Sequence, residues 1–297
     1  MHCPICDGGD YWLIPFALDP KIERWRHEEG VEGKYEWRLC RRCGNAYPSH
    51  QPHLRVLQKV WLEHKSTPGL TVDELKHAWA KRRSAARAIA ARSFKIFAPL
   101  DGNSGRRFLD IACGFGETVK KFGDHGWDAE GIDADSSIAQ LHREIGIRVR
   151  HGQIEEMDLG AGYQIIHIAH AIYFITNPMR FLSEVRKRLA ADGVFCVVLS
   201  DFFTHHDPSL PSYAHTFFPS AASMRYALAL AGFETIVCKK LSGSIYITAR
   251  PEAAPTTPFV SPAWTHFLLR TKPLRYALIG GPYLAMRRAA KFLIGRK

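Results

Sequence analysis

The chain has 297 residues, of which 46% are hydrophobic, 23% charged and 11% aromatic; that is ample material for one large or two smaller packed domains, and it excludes a disordered polymer. The formal net charge of +11 is unevenly spread, because no acidic residue follows Glu252 whereas Arg270, Lys272, Arg275, Arg287, Arg288, Lys291, Arg296 and Lys297 all do. The most apolar stretch, Ile165 to Ile175, is broken by His167 and His170 and is shorter than the roughly 18 residues of a spanning helix. Met1-His2-Cys3-Pro4 has no leader character, so the expectation is a cytoplasmic protein without a transmembrane helix.

Four of the seven cysteines form two Cys-x2-Cys pairs, Cys3/Cys6 and Cys40/Cys43, the second followed by Gly44. Each pair can aim two thiolates at one tetrahedral ion, and four thiolates close the site to water, so the expected ligand is structural Zn2+. A disulfide or a redox pair is the alternative, the first disfavoured in a reducing compartment and the second by the lack of a βαβ unit around either motif. Cys113, Cys196 and Cys238 have no partners at ligand spacing. Between the knuckles, Tyr11–Ile14 and Tyr35–Leu39 alternate as short strands, the pattern of a small zinc ribbon.

Thr71-Val72-Asp73-Glu74 is a capping box, and Leu75, Trp79, Ala86, Ile89 and Ile96 recur at helical spacing up to Pro99. Lys81, Arg82, Arg83, Arg87, Arg92 and Lys95 lie on that helix, either as a solvated face or as a basic surface for a phosphate-bearing partner. After a turn at 101–105 the pattern changes. Strands are expected at Phe108–Ala112, Ala129–Asp133, Arg148–His151, Gln164–Ala169 and Val194–Ser200, with helices near Glu117–Phe122, Ser136–Glu144, Met179–Leu189 and Ala221–Ala231. That alternation predicts a parallel sheet covered on both faces, with ligands beyond the carboxyl ends of its strands. Thr235–Lys239 and Ser244–Thr248 then read as a closing hairpin.

The first strand ends in Asp110-Ile111-Ala112-Cys113-Gly114-Phe115-Gly116. A glycine turn between strand and helix lets a ligand approach the backbone closely. The third glycine of a dinucleotide fingerprint is replaced by Val119, which argues against a pyrophosphate. Asp133 ends the second strand, where a carboxylate can accept both hydroxyls of a ribose.

At these residues the chain resembles the class I S-adenosylmethionine (SAM)-dependent methyltransferases, over roughly 106–251. The resemblance implies an α/β fold with a doubly wound, mostly parallel seven-stranded sheet, Rossmann-like, here preceded by the small zinc ribbon. The family pattern Asp-x-Gly-x-Gly-x-Gly keeps its acid and last two glycines, with Ala112 at the first glycine position. It implies that Asp110 organises contacts to the methionine ammonium, that Ala112, Gly114 and Gly116 line the methionyl and ribose side, and that Asp133 with Ala134 holds the ribose. Gln153 and Ile154 are implied at the adenine. His170 is counted with the cofactor-binding residues and, with Tyr173, borders the site, and Tyr173-Phe174 stands where many relatives carry Glu-His. The expected divisions are a ribbon over 1–52, a helical bridge over 53–100, a core over 101–251 and basic amphipathic helices over 252–297, broken at Gly280-Gly281-Pro282.

On the acceptor side, His215 precedes Phe217-Phe218-Pro219 and Tyr213 lies beside it. Histidine suits proton abstraction, so His215 is either the acceptor-side base, with Tyr213 orienting, or a cap of the following helix. His205-His206-Asp207 is either a second metal site or a solvated loop. The leading expectation is an enzyme methylating a hydroxyl or amine of a sugar, glycan or related small metabolite. An RNA methyltransferase using ribbon and basic helix, and a catalytically silent SAM-fold binding module, are the alternatives. The tail from Pro262 fits either an anionic membrane surface or packing on the core or in a homodimer.

Overall fold

The computed structural model describes residues 1–63, 71–100, 105–201, 203 and 211–286. Its N-terminal part comprises β1 (Tyr11–Ile14), α1 (Pro20–Glu28), β2 (Trp37–Cys40) and β3 (Ala46–Pro48). The strands form an antiparallel sheet in that order, with Tyr11 opposite Cys40 and Trp37 opposite Pro48. Helix α1 interrupts the expected ribbon. It starts where the Asp19 carboxylate accepts the Lys21 N–H at 2.8 Å and Pro20 takes the first helical position, the residue types that suit a helix start. Its Arg26 is fully buried, yet donates to Glu23 at 2.7 Å and to the Gly33 carbonyl at 2.8 Å, as a buried cation requires.

Helix α2 (Leu54–Glu63) leads to α3 (Val72–Phe97), which begins at the expected capping box: Thr71 Oγ1 accepts the Glu74 N–H, and Glu74 accepts the Thr71 N–H at 2.8 Å. The core then runs β4 (Arg107–Ile111), α4 (Glu117–Gly123), β5 (Asp128–Asp133), α5 (Ala139–Glu144), β6 (Arg148–His151), β7 (Tyr163–Ala169), α6 (Pro178–Arg188), β8 (Leu189–Ser200), α7 (Ala221–Leu230), β9 (Phe233–Leu241) and β10 (Ser244–Pro251). The seven strands lie in the order β6-β5-β4-β7-β8-β10-β9. Those from β4 to β8 are parallel, and β10 is antiparallel to both neighbours. Because the chain leaves β4 toward β6 and returns through β7, the crevice for a ligand opens at the carboxyl ends of β4 and β7.

Alternate residues of each strand enter opposite layers, as the pleat demands. Leu109, Ile111, Ile166, Ile168, Phe195 and Val197 join the layer that contains the ribbon's Trp37 and Leu39. Phe108, Ile165, Val194, Cys196 and Val198 join Phe97 of α3 and Phe122 of α4, with Phe108 and Phe122 stacked 3.8 Å apart. Strand β8 starts five residues before the expected Val194. Tyr163 pairs with Leu189 but Ile165 with Val194, so extra residues bulge out. Gly193 fits there because a Cβ would lie 2.6 Å from the Tyr163 carbonyl oxygen.

Helix α8 (Pro262–Arg270) lies against β1 and β2, and α9 (Lys272–Arg275) and a π-helical turn (Tyr276–Gly280) extend it into a further helical turn over 281–286. The break expected at Gly280-Gly281-Pro282 does not occur. Gly281 stays right-handed at φ −60°, ψ −54°, and the widened π turn accommodates a proline that offers no N–H and crowds the carbonyl four residues back. Among the described residues, no helix is long and apolar enough to cross a membrane.

Candidate active site

The glycine turn follows β4 directly. Ala112, Gly114 and Gly116 all have left-handed backbone, φ 54°, 53° and 76°, a conformation that costs roughly 1 kcal/mol or more for a residue with a Cβ. Gly114 would direct a Cβ into open space, whereas at Gly116 it would lie 2.0 Å from Ile147 Cδ1. The two glycines therefore serve different ends: Gly114 leaves the crevice open, and Gly116 lets the turn pack on Ile147. Asp133, at the end of β5, accepts the Gly114 N–H at 2.7 Å and the Asp135 N–H at 2.9 Å, one on each carboxylate oxygen. Burial nevertheless raises its pKa above the ordinary value. Ala134 is exposed, as is Gln153, and Ile154 is half-buried; the Gly152 N–H donates to the Asp133 carbonyl at 3.0 Å, which ties the β6 loop carrying them to β5.

Two supports of this turn have no local signal in the sequence. His142 is buried, with Nε2 2.8 Å from the Gly114 carbonyl and Nδ1 3.4 Å from His151. Burial lowers its pKa, so the neutral ring donates through Nε2 and holds the turn. Asp110 is buried beside fully buried His167, 2.6 Å away, and the far nitrogen of His167 lies 3.2 Å from Ser93 Oγ on α3. The acid of the motif is thus anchored through its neighbour on β7.

Glu117 opens α4, where a carboxylate complements the helix dipole. It is buried and accepts from Trp79 Nε1 at 3.0 Å and from Arg83 and Arg87 at 3.2 Å each. Trp79, Arg83 and Arg87 are four residues apart on α3, so one stripe of the helix meets one carboxylate. Two members of the basic cluster are therefore paired with a buried carboxylate, although Arg83 stays half-buried and Arg87 exposed.

Beyond β7, His170 has φ 54°. Its Nδ1 lies 3.2 Å from Ser200 Oγ and its Nε2 3.3 Å from Ser244 Oγ, and the Tyr173 hydroxyl sits 3.2 Å from Ser200 Oγ. Burial pulls the His170 pKa down to about 4 and pushes that of Tyr173 up to about 12, so both are neutral near pH 7. His215 is only 5% exposed, packed among the rings of Tyr173, Phe174 and Phe218, and burial lowers its pKa to about 3. Its Nδ1 accepts the Ser212 N–H at 3.0 Å, so the neutral ring carries its proton on Nε2 and presents a donor. Tyr213 turns the other way: its hydroxyl accepts the His53 N–H at 3.0 Å and its ring packs 4.8 Å from that of Tyr35. His205, His206 and Asp207, the expected second metal site or solvated loop, lie outside the described residues.

The segment holding Tyr213 and His215 is bound to the ribbon. Ala46 of β3 and Phe218 exchange backbone hydrogen bonds of 3.3 and 2.7 Å. In the ribbon, the sulfurs of Cys3, Cys6, Cys40 and Cys43 all lie within 4.8 Å of one another, with Cys3–Cys43 and Cys6–Cys40 at 3.5 Å. The Arg42 N–H points at Cys40 Sγ from 3.4 Å. A closed set of four thiolates is the donor set of structural zinc.

The sheet order, its single antiparallel strand and the glycine turn facing an acid define a class I methyltransferase fold. Residues 78–238, more than half of the chain, match the family described as a methyltransferase domain, and the chain belongs to that family of SAM-dependent methyltransferases. Among curated relatives, the ubiquinone biosynthesis O-methyltransferase of Bradyrhizobium sp. (strain ORS 278) is 30% identical over 162 residues, 45% of this chain and 64% of that protein, so the chain spans less than two thirds of its length. Among solved structures, a SAM-dependent methyltransferase from Clostridium acetobutylicum superimposes with TM-score 0.49 and 11% identity over 61% of this chain and 99% of that one. The CcbJ methyltransferase from Streptomyces caelestis gives TM-score 0.46 and 15% identity over 57% and 90%.

The residues present fit SAM in their chemistry, because an added Cβ at Gly114, which is hydrogen-bonded to the carboxylate of Asp133, would meet no protein atom within 4 Å, and no phosphate-binding third glycine follows. When bound, SAM supplies a methyl group activated by its sulfonium.

Proposed function

We propose that this methyltransferase acts on a hydroxyl of a small acceptor, a sugar, glycan or related metabolite, seated beyond the carboxyl ends of β7 and β8. The observation that carries this reading is the group of His170, Tyr173, Ser200 and Ser244, four uncharged hydrogen-bonding side chains within 3.4 Å of one another along the links just given. Such a surface binds and orients a neutral polyhydroxylic or phenolic group, and in-line transfer depends chiefly on that positioning. The O-methyltransferase named among the relatives supports hydroxyl over amine.

On this reading Asp110, Ala112, Gly114, Gly116, Asp133, Ala134, Gln153 and Ile154 hold the cofactor. His170 is the group placed to accept the hydroxyl proton, because His215 offers a donor hydrogen, and Tyr213 anchors the acceptor-side segment to the ribbon. Cys3, Cys6, Cys40 and Cys43 bind one zinc ion that holds the ribbon together. The RNA reading loses support from Arg83 and Arg87, whose charges are already matched by Glu117, and from a ribbon packed on the core. The test is mass-spectrometric detection of methyl transfer from isotopically labelled SAM onto nucleotide sugars, lipid-linked glycans, dihydroxybenzenes and total RNA. Methylation confined to RNA, or to amines, defeats the proposal; absence of both SAM binding and transfer supports the silent module.

A further inference from the structure

Helices bury their apolar faces, and the C-terminal helix buries only one side of its apolar surface. Thr265 and Leu269 of α8 are buried, and the helix is held on the ribbon by the stacking of His266 on Trp12, 4.9 Å between centroids, and by a 3.2 Å contact from His266 Nε2 to the Leu13 carbonyl. The opposite side carries Trp264, Phe267, Leu274, Leu278 and Met286, exposed by 58%, 53%, 60%, 68% and 66%. Steps of three, four and seven residues keep Trp264, Phe267, Leu274 and Leu278 on one face of a helix. An exposed apolar face of this extent marks an interaction surface.

The charge around it selects the partner. Arg270 is exposed on the same helix, and Arg41, also exposed, lies over the Trp12 ring at 4.9 Å. Lys272 is buried and Arg275 donates to the Leu268 carbonyl at 2.6 Å. The sequence then adds Arg287, Arg288, Lys291, Arg296 and Lys297 beyond the described residues, with no acid anywhere after Glu252. A second copy meeting this face about a two-fold axis would set like charge against like charge, which costs free energy. A surface that is anionic outside and apolar beneath complements both the cations and the Trp, Phe and Leu side chains.

We propose that the helix over 262–286, with Arg41 of the ribbon, docks the protein on an anionic lipid bilayer, lying in the interface rather than spanning it. The placement bears on catalysis if the methyltransferase reading above is right. Leu269, Lys272, Pro273 and Tyr276 line a cavity of about 160 Å³ with Ile14, Pro15 and Pro211, and Pro211 begins the segment that carries Tyr213 and His215. A docked enzyme would thus have its acceptor-side segment braced by the docking helix, a geometry suited to an amphiphilic acceptor.

Co-sedimentation of the full chain with phosphatidylcholine vesicles, with and without phosphatidylglycerol, tests the proposal independently of activity. Binding is expected to vesicles containing phosphatidylglycerol at about 0.1 M salt and to fall steeply toward about 1 M, where screening is strong. The Trp264→Ser/Phe267→Ser/Leu278→Ser variant should bind about tenfold or more weakly, and Arg41→Glu/Arg270→Glu should lose its preference for phosphatidylglycerol, both with unchanged melting and SAM binding. A full chain that stays in the supernatant, or a triple variant that binds like the parent, overturns the proposal. So does a triple variant that turns a dimer into a monomer in sedimentation velocity without any vesicle binding, which would assign the face to a second copy.

Discussion

Gly114 and Gly116 differ by two positions and by what their missing side chains would meet, and this allows stability and cofactor binding to be separated. In Gly116→Ala the left-handed backbone costs roughly 1 kcal/mol. The new Cβ also falls 2.0 Å from Ile147 Cδ1, so a branched side chain must move well over 1 Å within a packed layer, an overpacking cost of about 1–3 kcal/mol. A total near 3 kcal/mol corresponds to a melting shift on the order of 6–12 °C for a chain of this size. Gly114→Ala incurs the same backbone cost, but its Cβ meets no protein atom within 4 Å. Its melting shift should be about a third as large, while SAM affinity falls by about tenfold or more because the crevice is occupied. Adding Ile147→Val to Gly116→Ala should restore part of the lost stability, and adding it to Gly114→Ala should not. Thermal melts and titration calorimetry with SAM read both quantities. Full stability in Gly116→Ala, or unchanged SAM affinity in Gly114→Ala, would refute the division of roles.

Asp133→Ala removes the acceptor for two hydroxyls and for the Gly114 N–H, and calorimetry should show SAM binding weakened by about tenfold or more. Cys40→Ser should bring zinc from one ion per chain to near none by elemental analysis, and limited proteolysis should then cut within 1–52; retained zinc with native resistance would sink the four-thiolate site. His170→Ala should lower turnover by about 100-fold with SAM affinity preserved, whereas His215→Ala should act mainly on stability; the opposite ranking would return the base role to His215. Finally, His170 and His215 are held neutral, at about 4 and about 3, by burial. The unfolded chain therefore binds protons below its ordinary histidine value of about 6.5 while the folded chain does not. Stability should be full about one unit or more above that value and fall by about 3 kcal/mol between pH 6.5 and 5, measured by denaturant melts with zinc content monitored; a flat profile would show that these rings are not shielded.

The parallel sheet is legible in the chain because buried strands must be apolar on both sides, and Ile165, Ile166, Ile168 and the Val194–Leu199 run have no other reading. Asp110, Gly114 and Asp133 are legible because a close ligand needs small residues and an acid at fixed places. What escapes is non-local. Strand β3 has three residues and no periodicity, and exists through its pairing with β2 and Phe218. The stripe of Trp79, Arg83 and Arg87 can be read along the helix, but its target, Glu117, lies thirty residues and more away. His142 looks like a surface residue of a short helix until the fold places the Gly114 carbonyl against it. Helix α1 did carry a local signal, Asp19 before Pro20 with Glu23 in the first turn, which the expectation of a plain ribbon obscures.

The same pairing gives the ribbon a role that its cysteines alone do not indicate. If the four sulfurs hold zinc as proposed, the module folds with its metal, because metal binding supplies much of the folding free energy of so small a unit. Here one edge of that module is a backbone bridge to Phe218, and its Tyr35 hydroxyl donates to the Tyr213 carbonyl at 3.3 Å. The Thr216 hydroxyl in turn donates to the Ile175 carbonyl at 2.6 Å, just past the turn that holds Tyr173. A continuous line of contacts therefore runs from the four sulfurs through β3 to the acceptor side of the crevice, and it does not pass through Asp110, Gly114 or Asp133. On the proposed zinc and acceptor sites, disturbing the metal should accordingly loosen the acceptor before the cofactor, and the ribbon would then act as a brace for substrate positioning.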